Sequence, residues 1–154
     1  KMVNFGKVNI YGLDFTTNVS WPISKDFSLQ GTLSYSLQQA LDRSDRTTYS
    51  FNKQLPYTPK HSAHCTLVAQ LPWLSVGYSM STNSERYSMM QQTSEYRLAP
   101  FTEHSVTLSK DFMLKQVKMM CSLTLQNITN QQYDIIKYYP MPGRQLRFTA
   151  SLTL

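Results

Sequence analysis

Three histidines and two cysteines are the side chains of this 154-residue chain best suited to metal binding or catalysis. His61, His64 and Cys65 lie close together in sequence and superficially look like a metal cluster. In a β-strand, however, residues 61 and 64 have opposite parity and point to opposite faces, so they cannot hold one ion unless the strand is broken there. His104 is alone in its segment, and the chain has no nucleophile elbow and no glycine-rich phosphate loop. The sequence therefore predicts neither a metal site nor a catalytic site.

Binding chemistry of another kind is indicated by tyrosines that alternate with basic residues in three long linkers. Aromatic rings beside cations suit an anionic, ring-bearing ligand. The same tyrosines can equally pack on one another above the strands, and the sequence does not choose between these two interpretations. The candidate ligand-binding residues are Tyr49, Tyr57, Arg86, Tyr87, Tyr96, Tyr138 and Tyr139.

The segments between these linkers alternate apolar and polar residues with a period of two, which predicts β-strands. The end of the chain shows the pattern most clearly, with Leu146, Phe148, Ala150, Leu152 and Leu154 on one face and Arg147, Thr149, Ser151 and Thr153 on the other. A strand of about ten residues with one uninterrupted apolar face fits the wall of a transmembrane β-barrel, so we expect the apolar set to face lipid. About seven segments share this alternation: 7–21, 27–39, 61–71, 74–81, 102–112, 115–128 and 145–154.

The linkers between the predicted strands are short and long in turn. The short ones lie at 22–26, 72–73 and 113–114, and the long ones at about 40–60, 82–101 and 129–144. Short turns on one rim and long loops on the other are typical of outer-membrane barrels. The sequence thus predicts an all-β, antiparallel up-and-down meander of about seven strands, with Trp21, Phe27, Trp73 and Phe112 as an aromatic girdle beside the short turns.

The overall composition is compatible with this prediction and argues against other classes. The chain is 41% apolar but has a mean hydropathy of −0.37, and no apolar run approaches the roughly 20 residues of a membrane helix. Charged residues make up only 16%, against about 25% in ordinary soluble domains. The net charge of +6 is spread singly along the chain, without a basic stripe, so no nucleic-acid partner is expected.

Three stretches resemble TonB-dependent outer-membrane receptors, in that family's order and spacing. The most specific is Asn127-Ile-Thr-Asn-Gln-Gln-Tyr133 followed by Tyr139-Pro-Met-Pro-Gly-Arg144 and a terminal alternating strand. The segments at 8–14 and 55–61 resemble a strand entry and a loop-to-strand return of the same family. The likeness is closer to the siderophore, haem and cobalamin receptors than to the glycan importers. The motif residues are Pro140, Met141, Pro142, Gly143 and Arg144.

This resemblance implies that residues 1–154 are the C-terminal strands of a larger barrel, whose plug domain and remaining wall are absent from the chain. The complete protein would be a multi-pass receptor of the bacterial outer membrane. It would capture a scarce metal complex, such as siderophore-iron, haem or cobalamin, and import it with the TonB complex, which contacts the absent N-terminal part. The expected partners are therefore membrane lipid, the rest of the barrel, the plug, the TonB complex and the metal complex, and no cofactor is implied.

A second hypothesis from another class also remains. A small non-transporting β-barrel or β-sandwich would use the long loops as an adhesion or structural contact surface. The two hypotheses differ in what covers Leu146, Phe148 and Leu152, since a sandwich buries them under a second sheet. In the barrel hypothesis Arg147 lies on the polar, lumenal face, where Asp14 or a plug carboxylate is a possible partner.

Overall fold

The structure, a computed structural model, describes residues 6–114 and 117–153. Eleven strands form within these residues, joined by turns and by one short 3-10 helix at Ser94–Tyr96. No α-helix long and apolar enough to cross a membrane occurs in this described part. The strands are β1 (Val8–Pro22), β2 (Ser28–Asp42), β3 (His61–Gln70), β4 (Ser75–Asn83), β5 (Arg86–Tyr87), β6 (Arg97–Leu98), β7 (Phe101–Leu114), β8 (Val117–Gln126), β9 (Asp134–Ile136), β10 (Tyr139–Pro140) and β11 (Gln145–Thr153).

Seven of these strands form one antiparallel sheet in the order β1-β2-β3-β4-β7-β8-β11, with β1 and β11 at its two edges. The predicted meander is confirmed. One boundary was wrong: residues 113–114 were expected to form a turn, but they belong to β7, where Leu114 pairs with Val117 of β8. Positions 115–116, between these two strands, lie outside the described residues. The other four strands are two-stranded ribbons in the long loops, β5 with β6 and β9 with β10.

The register of the ladder sorts the side chains onto two faces, because directly paired residues of antiparallel strands point to the same side. One row of paired residues crosses all seven strands and is apolar throughout: Trp21, Leu29, Ala69, Val76, Leu108, Leu123 and Phe148. The adjacent row crosses β2 to β11 and is polar throughout: Ser28, Gln70, Ser75, Ser109, Ser122 and Thr149. We call the two sides the apolar face and the polar face.

Among the described residues, no second sheet covers the apolar face. Leu146, Phe148 and Leu152 are 69%, 66% and 69% exposed. Contiguous apolar patches of this extent are rare on soluble monomers. The arrangement expected of a β-sandwich is therefore not found, while the single sheet with opposite faces predicted for a barrel wall is.

The polar face is linked by hydrogen bonds between neighbouring strands. Thr32 donates to the Asn18 side chain at 2.8 Å, and the hydroxyls of Thr107 and Thr124 are 3.0 Å apart. Asp14 accepts a hydrogen bond from Ser36. Arg147 lies on the polar face, as predicted, but on the opposite edge strand from Asp14, so the sheet does not bring these two together.

An added positive charge is expected to change the free energy of unfolding differently on the two faces of β11. If the apolar face contacts lipid, Ala150→Arg should lower the free energy of unfolding by about 2–4 kcal/mol, because a cation there enters hydrocarbon. Thr149→Arg, one residue away on the polar face, should cost much less. Reversible folding of the complete protein into phospholipid vesicles measures both values. Equal costs at the two positions would contradict the lipid assignment.

Candidate functional site

The three long connections all leave the same end of the sheet. We call them loop A (43–60), loop B (84–100) and loop C (127–144), and we call this end the loop rim. The connections described at the opposite end, the turn rim, are short and lie at 23–27 and 71–74. The buried apolar side chains are not under the sheet but at the loop rim: Ala40, Leu41, Met90, Leu98, Phe101 and Tyr133. The part of the chain with a packed core is therefore the part that carries the candidate residues.

Loop A continues the sheet beyond β3 instead of standing free of it. The amide of Leu55 donates to the carbonyl of Ala40 at 2.8 Å, and Leu41 forms a β-bridge with Gln54. The buried Gln54 side chain accepts from the Ala40 amide at 3.1 Å and donates to the Gln38 carbonyl at 3.2 Å. This glutamine satisfies backbone groups that the ladder leaves open, which fixes the loop against β2.

Loops B and C meet through a layered stack of three buried side chains. The rings of Phe101 and Tyr133 are 4.0 Å apart between centroids and inclined by only 13°. The Arg86 guanidinium carbon lies 5.5 Å from the Phe101 centroid, on a cation–π contact. The Tyr133 hydroxyl donates to Glu103. Burial, followed by this carboxylate, raises the pKa of Tyr133 to about 12, so the phenol remains protonated and stays a donor at neutral pH.

Arg86 was predicted to bind ligand, and in the structure its side chain also links two of the loops. Its side chain is only 6% exposed, and Nη2 donates to the carbonyl of Asp134 at 2.8 Å, which joins loop B to loop C. Nη1 is buried and has no hydrogen-bond partner among the described residues. Burial lowers the pKa of Arg86, yet a guanidinium of this kind keeps its charge at neutral pH. A buried cation with one unpaired donor is thus present between the loops.

The motif in loop C is a set of short-range contacts that hold the loop closed. Asn127, 2% exposed and with a positive φ of 48°, donates to the carbonyls of Gln131 at 3.0 Å and Pro142 at 3.3 Å. Its own Oδ1 accepts from the Gln131 amide at 2.9 Å. The Met141 amide donates to the Tyr133 carbonyl at 2.9 Å, and Pro140 lies in β10. Asn127 was quoted in the resemblance but not singled out as a site residue.

Arg144 closes the same loop from its other end. Its guanidinium Nη2 and Nε both donate to the Ile128 carbonyl, at 2.7 and 3.0 Å, and its amide donates to Asn130 Oδ1 at 2.9 Å. A Cβ on Gly143 would lie 2.5 Å from that same oxygen, so a larger residue at this position would displace the Asn130 side chain. Arg144, although exposed to solvent, is thus held by three hydrogen bonds within its own loop.

The predicted tyrosines divide into exposed and half-buried groups. Tyr138, Tyr139 and Tyr49 are 74%, 70% and 64% exposed, whereas Tyr57 is 42% exposed and Tyr87 and Tyr96 are half-buried. The Tyr57 amide donates to the Tyr87 carbonyl at 2.7 Å, which joins loops A and B. Lys137 Nζ lies 5.3 Å from the Tyr138 ring and Lys53 Nζ lies 6.0 Å from the Tyr49 ring. The structure thus brings some of these residues together by packing and leaves three rings open, two of them beside cations.

The histidines occupy the two faces as predicted. His61 pairs with Leu37 on the apolar face, and its Nδ1 is 2.8 Å from the Tyr35 hydroxyl. His64 pairs with Ser34 on the polar face and contacts Thr66 at 3.0 Å. In the described residues no three His, Cys, Asp or Glu side chains cluster closely enough to hold a metal ion.

Two cavities lie at the loop rim. A cavity of about 590 Å³ between loops A and B is lined by four cations, Arg43, Lys53, Lys60 and Arg86. A smaller cavity of about 180 Å³ lies under loop C beside Glu103, Tyr133 and Arg147 on the polar face. Of the four cations, only Arg86 was named as a candidate site residue from the sequence. The other three come from separate parts of loop A, and no local sequence pattern indicates that they line one cavity.

The Gly143 contact generates a test of the loop C geometry. Gly143→Ala should displace Asn130 from the Arg144 amide and lower the free energy of local opening of loop C by about 0.5–1.5 kcal/mol, since it removes that hydrogen bond. Amide hydrogen exchange within loop C measures this. Gly77→Ala is the matched control, because the nearest atom to its added Cβ is 3.7 Å away. In an Asn130→Ala background the effect of Gly143→Ala should shrink, and an undiminished effect would show that the 2.5 Å approach is not the cause.

With the geometry in place, comparison with known proteins identifies the relatives of this chain. The family described as "TonB dependent receptor-like, beta-barrel" matches residues 1–130, so the Pro-Met-Pro-Gly-Arg element lies beyond the matched part. No curated protein is similar enough in sequence to count as a match.

Two solved structures share the fold over nearly the whole chain. The siderophore receptor PiuA from Acinetobacter baumannii is 17% identical with a TM-score of 0.71, over 93% of this chain and 21% of that one. BauA, the ferric preacinetobactin receptor from Acinetobacter baumannii, is 10% identical with a TM-score of 0.66, over 94% of this chain and 26% of that one. This chain thus spans about a quarter or less of these proteins. Because the family match covers 130 of its 154 residues, the chain belongs to the TonB-dependent receptor β-barrel family.

Proposed function

We propose that this chain forms part of the wall of a bacterial outer-membrane receptor that captures a metal complex at its loops and imports it with the TonB complex. The observation that carries the proposal is the single sheet with one uncovered apolar face, one hydroxyl-rich polar face and all described long loops on one rim. Lipid on one side explains why no second layer covers the apolar face in the part of the chain that the structure describes, and a hydrated interior explains why the other face is rich in hydroxyl groups.

Strand length and aromatic placement support this membrane orientation. A tilted strand needs about 9–11 residues to cross a bilayer, and the seven main strands have 9 to 15. Trp21 and Trp73, each 64% exposed, lie at the turn rim, where one aromatic belt is expected. On the apolar face the Tyr78 hydroxyl lies 2.7 Å from His104 Nδ1, so these two polar groups are paired with each other. In the proposed orientation the turn rim is periplasmic and the loop rim is extracellular.

The proposed partners follow from the surfaces left open. The edge strands β1 and β11 offer backbone groups to the rest of a barrel wall, as exposed strand edges do. The polar face offers side chains such as Arg147 to a plug domain. Contact with the TonB complex is proposed for the part of the receptor that lies outside this chain.

The ligand is proposed to be an anionic metal complex of the siderophore-iron, haem or cobalamin class. The support is the pair of exposed tyrosines Tyr138 and Tyr139 with Lys137 beside them, and the Tyr49–Lys53 pair in loop A. Such pairs suit rings that carry negative charge. One solved relative is described as a siderophore receptor and the other as a ferric preacinetobactin receptor, which makes a ferric siderophore the first ligand to test.

The exposed tyrosines make a sharper test than removal of a whole loop. A deletion of residues 87–96 would also remove the buried Met90 and the 3.0 Å hydrogen bond from Gln92 to the Gln54 carbonyl. The double variant Tyr138→Ala/Tyr139→Ala removes only exposed rings. In the complete receptor it should weaken binding of the cognate metal complex by about tenfold, because each aromatic contact contributes about 0.5–1.5 kcal/mol. Tryptophan fluorescence quenching on titration with the complex gives the affinity.

The ring-retaining variant Tyr138→Phe/Tyr139→Phe is the matched control and should keep most of the affinity. Heat-modifiable migration on gels verifies that each variant has assembled. Unchanged affinity in an assembled alanine variant would remove these two residues from the capture site. A receptor that binds no ferric siderophore, haem or cobalamin at all would contradict the proposed function.

A further inference from the structure

The tip of loop C is a two-residue turn in which Tyr138 has an unusual backbone conformation. Strands β9 and β10 pair through Ile136 and Tyr139, which leaves Lys137 and Tyr138 as their connection. The φ angle of Tyr138 is 69°, in the left-handed region. In this region the Cβ of an L-residue lies too close to the following carbonyl oxygen, so turns of this kind favour glycine or asparagine. The sequence therefore has a bulky residue where the local conformation disfavours one.

No contact within the described residues offsets this strain at Tyr138. Its ring is 74% exposed, and its hydroxyl forms no hydrogen bond to the described part of the chain. The Lys137 ammonium lies 5.3 Å from the ring centroid, but a cation–π contact at an exposed site is worth less than the left-handed backbone costs.

The other described non-glycine residues with positive φ have a reason in residue type or in packing. Three of them are asparagines, which tolerate this conformation. The remaining two join loops A and B: the Tyr57 amide donates to the Tyr87 carbonyl at 2.7 Å, and the Gln92 side chain donates to the Gln54 carbonyl at 3.0 Å. Tyr138 differs from all of them, because its side chain stands in solvent.

The turn is held in place by hydrogen bonds from its own strand and from loop B. Asp134 Oδ2 accepts from the Tyr138 amide at 3.2 Å, and Lys137 Nζ donates to the Arg97 carbonyl of loop B at 3.1 Å. The buried Arg86 fixes the start of the same hairpin through the Asp134 carbonyl. Strained residues persist where the surroundings determine their conformation, and they concentrate at ligand clamps.

We propose that Tyr138 is the principal aromatic contact of the capture site, and that Asp134 is a positioning residue that holds it in the left-handed conformation. The ring is then presented in a fixed place, so that little ordering cost falls on the binding of a ring-bearing metal complex. This inference rests on the proposed function and refines it. It separates Tyr138 from Tyr139, which is equally open, at 70% exposed, but lies in β10 without a positive φ.

Two glycine variants of the complete receptor test the strain without any ligand. Tyr138→Gly should slow hydrogen exchange of the Met141 amide, which donates to the Tyr133 carbonyl at the base of the hairpin. The expected change is about threefold, because glycine relieves the left-handed strain but gains freedom in the open state. Tyr139→Gly is the matched control and should speed the same exchange about threefold, because glycine weakens a strand. Faster exchange in both variants would overturn the strain at Tyr138.

Affinity should change in the opposite direction to the stability of the hairpin. The probe is whichever of a ferric tris(catecholate), haemin and cyanocobalamin binds the unmodified receptor most tightly, titrated by tryptophan fluorescence quenching. Tyr138→Gly should weaken its binding about fivefold although the hairpin is more stable, since an aromatic contact is lost. Tyr139→Gly should weaken it less than about twofold. Equal losses in the two variants would contradict the assignment of Tyr138 as the principal contact.

The positioning role of Asp134 is tested by a double-mutant cycle. Asp134→Ala removes the acceptor of the Tyr138 amide and should weaken binding of the same probe about threefold, while Asp134→Asn keeps an oxygen acceptor and should bind nearly as well as the unmodified receptor. In a Tyr138→Gly background, Asp134→Ala should cause no further loss, because the ring that it positions is absent. Additive losses would show that Asp134 acts on the site in some other way.

The outcomes distinguish this inference from the proposed function. A receptor that binds none of the three probes contradicts the proposed function and this inference with it. A receptor that binds one of them, and keeps its full affinity when Tyr138 is replaced by glycine, overturns this inference alone.

Discussion

The pairing register of seven antiparallel strands determines what every other part of this molecule can do. Since the side-chain period of a strand is two, a slip of one residue in any pair would move that strand's whole apolar set to the polar side. The register avoids this across the full sheet, so that the row from Trp21 to Phe148 stays apolar while the row from Ser28 to Thr149 stays polar. In such a sheet the backbone groups of the inner strands are hydrogen-bonded within the ladder. The two faces can therefore contact different solvents, one apolar and one polar.

One consequence is that the packed core lies away from the sheet. The apolar strand residues are exposed or half-buried, and the buried ones gather at the loop rim around Phe101 and Tyr133. There the chain relies on specific polar contacts instead of layered sheets. Arg86 joins loops B and C, Gln54 fixes loop A to β2, and Asn127 with Arg144 closes loop C. These contacts give the loops defined positions, which a capture surface requires if its open tyrosines are to meet a ligand without a large ordering cost.

The sequence was informative wherever a pattern repeats along the chain, and less so wherever distant residues meet. Strand alternation predicted the seven main strands, their order and the opposite faces of His61 and His64. It misplaced the β7–β8 connection because residues 112–120 contain no glycine, proline, asparagine or aspartate to mark a turn. It could not show that Arg86 is buried, because that depends on Phe101 and Tyr133 from other elements. The loop C motif was recognised as a pattern, but its physical reason, the contact between Gly143 and Asn130, needed coordinates.

The central claim, that this sheet is a barrel wall with lipid on its apolar face, can be tested along β11 alone. Spin labels are placed one at a time on cysteines at positions 148 to 152, with Cys65 and Cys121 replaced by serine, in the complete receptor in phospholipid vesicles. Collision rates with oxygen, which concentrates in lipid, and with a water-soluble nickel complex are then compared. The account predicts that oxygen access peaks at 148, 150 and 152 and nickel access at 149 and 151. Equal access at neighbouring positions, or even-numbered positions shielded from both reagents, would contradict it.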